Sequence, residues 1–226
     1  MRKILIVEDD IDINNLLKEI LNNNNYKTES AFTGREALLQ LKLEQFDMVL
    51  LDLMMPGLSG EHVIQEIRKS SNISIIVITA KIDKETKINV LKMGADDYIK
   101  KPFDIEELLA VIEANMRRYK DLNINYEKID ELIYKDILLN PETKTIKVKN
   151  KDLRLTPIEY EILKLLMQNP NRIFSKEIIY QEVWNDAYMY DADTINAHIS
   201  NLRNKIKKLS NNDYIETIWG MGYRMK

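Results

Sequence analysis

From Lys3 to about Tyr119 the chain alternates short, wholly apolar runs with longer stretches of helical period. The runs lie in KILIV, FDMVLLD, SIIVITA and DDYIK, each followed by a helix-like segment. ILIV, MVLL and IIVI are apolar at every position rather than at every second one, which is what strands need when helices cover both faces of a parallel sheet. The alternation predicts a doubly wound α/β fold. Ligands of such sheets sit beyond the carboxyl ends of the strands, near the point where strand order reverses. The residues ending these runs, Glu8, Asp9, Asp52, Thr79 and Lys101, are therefore the first candidates for chemistry.

The pattern changes after Tyr119. Residues 120–132 are polar, with Asp121, Asn123, Asn125, Glu127, Lys128 and Asp130 breaking any apolar period, and read as a linker. The expected division is residues 1–120, a linker at 121–131, and a second domain at 132–226. The second domain opens on strand-like stretches, LIYKDILLN and TKTIKVKN, separated by Pro141 and a polar turn, which predict a small antiparallel sheet. Helices follow. Thr156 is placed to cap one, with Pro157 at the first position and Glu159 completing a capping box. Ser175 is placed to cap another. A third, from about Asp191 to Lys208, aligns Ile195, Ile199, Leu202 and Ile206 on one stripe and leaves His198, Asn201, Arg203 and Lys205 among the exposed positions. YIETIWGMGYRMK, with Gly220 and Gly222 between β-prone runs, reads as a hairpin.

Two domains suit a chain of 226 residues. The absence of cysteine excludes disulfides, thiolate zinc sites and a cysteine nucleophile, and two well-separated histidines argue against a histidine metal cluster. MRKILIVEDD has an apolar run too short for a signal peptide or membrane span, so a soluble, cytoplasmic protein with no membrane partner is expected. Residues 1–120 hold 17 Lys/Arg against 20 Asp/Glu, and residues 121–226 hold 16 against 16. Basic charge concentrates locally instead: residues 194–226 carry six basic side chains against two acidic ones, as a nucleic-acid footprint would.

Carboxylates meeting at two strand ends make a pocket that calls for a divalent cation, and Mg²⁺ suits a mix of carboxylate, carbonyl and water oxygens. An aspartate attacking a phosphoryl group also needs nearby positive charge, which Lys101 is placed to supply. The acids of VEDD, the aspartate of LLDLMMPGLSG, the threonine of VITA and the lysine of DYIKKPF resemble, in type and interval, the receiver domain of response regulators. That resemblance implies a five-stranded, flavodoxin-like parallel sheet. It also implies Asp52 as phosphoacceptor, Glu8, Asp9, Asp52 and the carbonyl of Met54 as Mg²⁺ ligands, and Thr79 and Lys101 as phosphoryl contacts. Tyr98 is implied as an aromatic switch, and the Lys101–Pro102 peptide as cis. Lys100 reads as solvated surface, and Asp10 as the cap of the following helix.

LTPIEYEILKLLMQNP, DTINAHISNLRNKI and IETIWGMGYR resemble the winged-helix domain of OmpR/PhoB-type regulators. This implies a transcription factor that takes phosphate from a histidine kinase, dimerises and binds double-stranded promoter DNA, with RNA polymerase as a further partner. It catalyses only its own phosphorylation and dephosphorylation. Expected DNA contacts are Thr194, His198, Asn201, Arg203, Lys205, Trp219 and Arg224, with Arg203 foremost. Trp219 has two readings, a contact to the sugar edge or a plug for the domain core. Ser200 and Asn201 stand where relatives often carry basic residues, and Trp219 where they often carry arginine. Lys87, Asp96, Asp97, Glu107 and Arg118 match charged positions of the family's dimer surface, while Val111 replaces a common arginine there. Three other readings compete. A Mg²⁺-dependent phosphohydrolase wants an acid two residues beyond the nucleophile, where Met54 stands. A phosphorylation-independent regulator would use the first domain only to dimerise, and a winged helix can bind protein instead of DNA.

Overall fold

A computed structural model describes residues 2–80, 84–120, 131–184 and 192–226, with side chains omitted for 117–120. The chain divides into two compact units, Met1–Met116 and Arg117–Lys226. All but the last residue of the expected linker lies outside the described residues. Among them, no helix is long and apolar enough to cross a membrane.

The first unit runs β1 (Lys3–Val7), α1 (Ile11–Asn23), β2 (Lys27–Ala31), α2 (Gly34–Leu43), β3 (Met48–Leu51), α3 (Gly60–Ser70), β4 (Ser74–Thr79), α4 (Lys84–Met93), β5 (Asp97–Lys100) and α5 (Ile105–Lys120). Its sheet is ordered β2-β1-β3-β4-β5 and all-parallel. Continuous apolar strands are explained by two cores. Leu5, Val7, Val49, Leu51, Ile75 and Val77 pack beneath Val63, Ile64 and Ile67 of α3. The alternate residues Ile4, Ile6, Met48, Leu50, Ile76 and Ile78 pack against Leu17 and Leu21 of α1 and Leu108 and Ile112 of α5. Each buried aliphatic side chain contributes about 1.5–3 kcal/mol by transfer from water, so reversing any strand's register is costly. β2, KTESA, is the strand that apolar runs do not reveal. It lies at the sheet edge and buries only Ala31, so it needs no continuous apolar run.

The second unit begins with a four-stranded antiparallel sheet, β6 (Leu132–Tyr134), β7 (Ile137–Asn140), β8 (Thr145–Val148) and β9 (Lys151–Asp152). LIYKDILLN is thus a hairpin rather than one strand, turning at Lys135 with φ 50°. Helices α6 (Pro157–Gln168), α7 (Lys176–Trp184) and α8 (Ala192–Lys207) precede a hairpin of β10 (Ile215–Ile218) and β11 (Gly222–Met225). The Thr156/Glu159 capping box is present on α6, and the Ser175 hydroxyl accepts from Ile178 N at 3.1 Å on α7. A single core joins these parts through Ile162, Leu166, Phe174, Trp184, Ile199 and Leu202.

Gly222 shows how tightly the hairpin is seated. Its φ is +140°, and a Cβ there would lie 2.0 Å from the Phe174 carbonyl oxygen, because Phe174 and Tyr223 exchange two backbone hydrogen bonds of 2.8 and 2.9 Å. Gly222→Ala is expected to destabilise the second unit by about 2–4 kcal/mol. Denaturant titration followed by near-ultraviolet dichroism of buried Trp184 measures this, and an unchanged midpoint would contradict it.

Candidate functional site

The parallel ladder continues one residue past several strands and pins the residues that carry the chemistry. Glu8 N donates to Ala31 O at 3.0 Å, Asp52 N to Val7 O at 2.9 Å, and Lys101 N to Thr79 O at 2.9 Å. Their backbones are therefore set by the sheet, not by loop conformation. Gly60, the first residue of α3, lets that helix close over the site: a Cβ there would lie 2.5 Å from the Asp52 carbonyl oxygen. Asp10 caps α1 by accepting from the backbone of Asp12 and Ile13, so it belongs to the helix end, as expected. Buried Asn14 donates to the Glu8 carbonyl at 3.0 Å, a support that no motif announced.

Glu8 and Asp52 are buried, and Lys101 Nζ lies 2.6 Å from Glu8 Oε2 and 2.6 Å from Asp52 Oδ2. The other Asp52 oxygen accepts from Met54 N at 3.0 Å. Burial pushes the Glu8 carboxyl above its ordinary range, against the pull of Lys101. Burial alone would lower the Lys101 ammonium, but its hydrogen bonds to Asp52 and Glu8 outweigh that and hold it above the usual lysine value. Glu8, Asp9 and Asp52 present carboxylate oxygens within 4.8 Å of one another. Three carboxylates against one ammonium leave a formal charge of −2, the complement of one divalent cation. The donors are all hard oxygens, so the set fits Mg²⁺ and does not favour softer metals.

Thr79 is buried at the end of β4, and Lys100 is exposed, as expected of a solvated neighbour. The Lys101–Pro102 peptide is cis. Tyr98 is half-buried, its hydroxyl held by Lys87 of α4, whose ammonium also lies 4.0 Å from the ring centroid. Burial, helped by the charges of Asp97 and Glu107, pushes the Tyr98 hydroxyl up to about 12.

Two expected surface charges are not on the surface. Asp96 is fully buried, receiving Arg68 Nη2 at 2.9 Å and Ile75 N at 3.0 Å, so it fastens β4 and α3 instead of meeting a partner. Asp97 is also buried, and its carboxylate accepts from Tyr98 N. Val111 is buried in the core. Lys87 and Glu107 stay partly accessible, and the Arg118 side chain lies outside the described residues.

The second unit revises the expected DNA-facing set more strongly. Thr194 and His198 are buried; His198 packs against Trp184 at 5.6 Å between ring centroids. The inward face of α8 is wider than the four-residue stripe, taking in the positions beside it. Lys205 turns to the buried Glu159 of α6 at 2.6 Å, and Arg224 pairs with Glu216 across the hairpin. Arg203 is engaged internally: its guanidinium donates to Ile215 O and, at 2.9 Å, to Thr217 Oγ1. Asn201 remains partly accessible, Lys207 of the local basic cluster is exposed, and so is Asn204, which no motif announced. Trp219 is 93% exposed, which rules out its reading as a core plug.

A parallel sheet bearing this acid and lysine cluster, joined to a winged-helix unit, defines a receiver coupled to a DNA-binding domain, the class of the response regulators. The chain belongs to the OmpR/PhoB-type response regulator family. The model "Response regulator receiver domain" matches residues 4–113, and "Transcriptional regulatory protein, C terminal" matches residues 150–225. The chain is similar to the regulatory protein VanR of Enterococcus faecium, 37% identical over 99% of this chain and 98% of that protein. It is 42% identical to the transcriptional regulatory protein YrkP of Bacillus subtilis, over 98% of this chain and 97% of that protein. Among solved structures, a cysteine-to-aspartate mutant of RitR shares the fold with TM-score 0.80 at 22% identity, covering 100% of this chain and 99% of that one. The response regulator DrrB of Thermotoga maritima aligns with TM-score 0.52 at 29% identity, covering 100% and 99%.

Two outcomes test this geometry. Lys101→Met leaves two buried carboxylates without their ammonium and is expected to cost roughly 3 kcal/mol in metal-free buffer, with part of the loss recovered in millimolar MgCl₂. Thermal unfolding with and without Mg²⁺ measures it, and no recovery would count against a cation at the acidic cluster. For Tyr98, the proton is held more tightly in the folded state, so its contribution to stability is complete below the ordinary tyrosine value near 10 and is lost as pH rises toward about 12. The difference in tyrosinate absorbance between wild type and Tyr98→Phe should show one step near pH 12; a step near pH 10 would contradict it.

Proposed function

We propose that Asp52 takes a phosphoryl group from a histidine kinase and that the modification governs dimerisation and promoter binding. The observation that carries the reading is Lys101 held at 2.6 Å from both Asp52 and Glu8. In the transfer, an Asp52 carboxylate oxygen forms a bond to phosphorus as the bond from phosphorus to the kinase imidazole nitrogen breaks. The electron pair of that bond leaves with the imidazole. Met54 N, on the other Asp52 oxygen, orients the carboxylate for attack. Glu8, Asp9, Asp52 and the Met54 carbonyl would hold Mg²⁺, which would neutralise phosphoryl oxygens and lower the like-charge barrier. Lys101 then pairs with the acyl phosphate, and the Thr79 hydroxyl donates to it.

Hydrogen bonding by Thr79 to the new group links the site to Tyr98, which leaves Lys87 as it turns inward. Lys87, Glu107 and Arg118 then serve a dimer surface formed by α4, β5 and α5. Pairing two receivers brings two winged helices to half-sites about one turn of DNA apart. Asn201 and the accessible face of α8 read bases, while exposed Lys207 and Lys208 anchor phosphates. RNA polymerase is the partner through which bound dimers would act on transcription. Met54 in place of an acid supports a switch over a phosphohydrolase.

Beryllofluoride with Mg²⁺ is expected to dimerise the wild type and to raise its affinity for duplex DNA by about tenfold. Asp52→Ala should remain unresponsive in both. Light scattering and DNA anisotropy read the two effects. Equal behaviour of the two proteins would replace the switch with a constitutive dimerisation module.

A further inference from the structure

The hairpin tip of the second unit is built unlike a phosphate contact. From Thr217 to Tyr223 the sequence is TIWGMGY, with no charged residue. Trp219 is 93% and Met221 57% exposed, two large apolar side chains on either side of Gly220. Gly220, with φ +73°, shapes the turn between them. The nearest cations of the hairpin and α8 are committed elsewhere, Arg224 to Glu216 and Arg203 to Ile215 O and Thr217 Oγ1.

Those commitments also stiffen the tip. Arg203 ties α8 to β10, and its guanidinium lies 5.5 Å from the Tyr223 ring centroid. Tyr223 OH donates to Asn196 Oδ1 at 2.8 Å, tying β11 to α8, while the Phe174 bridge holds β11 from its other edge. Helix and hairpin thus approach a partner as one braced body. Beside the tip runs a groove of about 500 Å³ whose polar lining comprises Ser175, Lys176, Glu177, Asn196 and Thr217, hydrogen-bonding groups with one cation and one acid whose charges offset.

We propose that Trp219 and Met221 form a rigid, uncharged wedge that enters the minor groove of duplex DNA and selects base steps that unstack readily. The inference rests on the reading of this unit as a duplex DNA binder. DNA is the occupant because the tip is continuous with α8 and with the polar groove beside it. Apolar side chains enter minor grooves by opening a base step, and a braced tip makes the DNA, not the protein, deform. Selection then follows deformability: TA steps are flexible and lack the guanine amino group that narrows access to a G·C minor groove. A wedge without charge adds affinity without adding to the salt dependence. Arg203 is on this account a positioning residue, not a base contact.

The chain has two tryptophans, and Trp184 is buried, so the emission difference between wild type and Trp219→Phe isolates the wing. Full-length protein is titrated with an alternating A·T duplex and an alternating G·C duplex, binding being read separately from labelled-DNA anisotropy. The A·T duplex is expected to quench the Trp219 emission and shield it from acrylamide more than the G·C duplex does. Trp219→Ala should weaken A·T binding roughly tenfold with an unchanged salt slope, whereas Trp219→Arg should steepen the slope by about one. Binding of both duplexes with Trp219 as open to acrylamide as in the free protein would overturn the wedge while leaving DNA binding intact. Failure to bind any duplex at low salt would overturn the DNA-binding reading and the wedge with it.

Discussion

One ammonium between two buried carboxylates organises the receiver. Glu8 and Asp52 end neighbouring strands β1 and β3, and Lys101 follows β5 on the far side of β4, so their convergence requires the complete strand order. Burying two carboxylates together is tolerable only because Lys101 reaches both, and because Asp52 also accepts a backbone N–H. The residual negative charge of the cluster is the complement of one divalent cation. The same backbone ladder that builds the core delivers these side chains, so the site's precision derives from the sheet.

The second unit answers a different constraint. Its overall charge balance leaves little to draw DNA by bulk attraction, and several of its cations are used inside the fold. Lys205 meets the otherwise costly buried charge of Glu159, and Arg203 braces the hairpin. Charge here holds shape: it fixes α8 and the hairpin against one another and leaves an apolar tip in solvent.

Tyr98 and Lys87 lie between the two functions of the receiver. The tyrosine is half-buried on β5 and the lysine comes from α4, so their contact spans the expected dimer face. A rearrangement at Thr79 that draws Tyr98 inward must give up that contact. The burial of Asp96 and Asp97 narrows the charged part of that face to fewer residues than the sequence suggests.

Much of this was legible from the chain alone, because its signals are local. Continuous apolar runs marked strands covered on both sides, residues at their ends marked the site, and Thr156 with Glu159 marked a helix start. Edge strand β2 escaped because a strand that buries only Ala31 needs no apolar run. The direction of each polar side chain was also beyond reach, since the helical period separates inward from outward positions but does not reveal what an intermediate one meets. His198 and Thr194 turned into the core, Arg203 and Lys205 found partners on other elements, and Asp96 found Arg68, each through contacts far apart in sequence. Trp219 went the other way: nothing in its chemistry distinguishes a core plug from a wing tip, and only the seating of the hairpin against Phe174 left it in solvent.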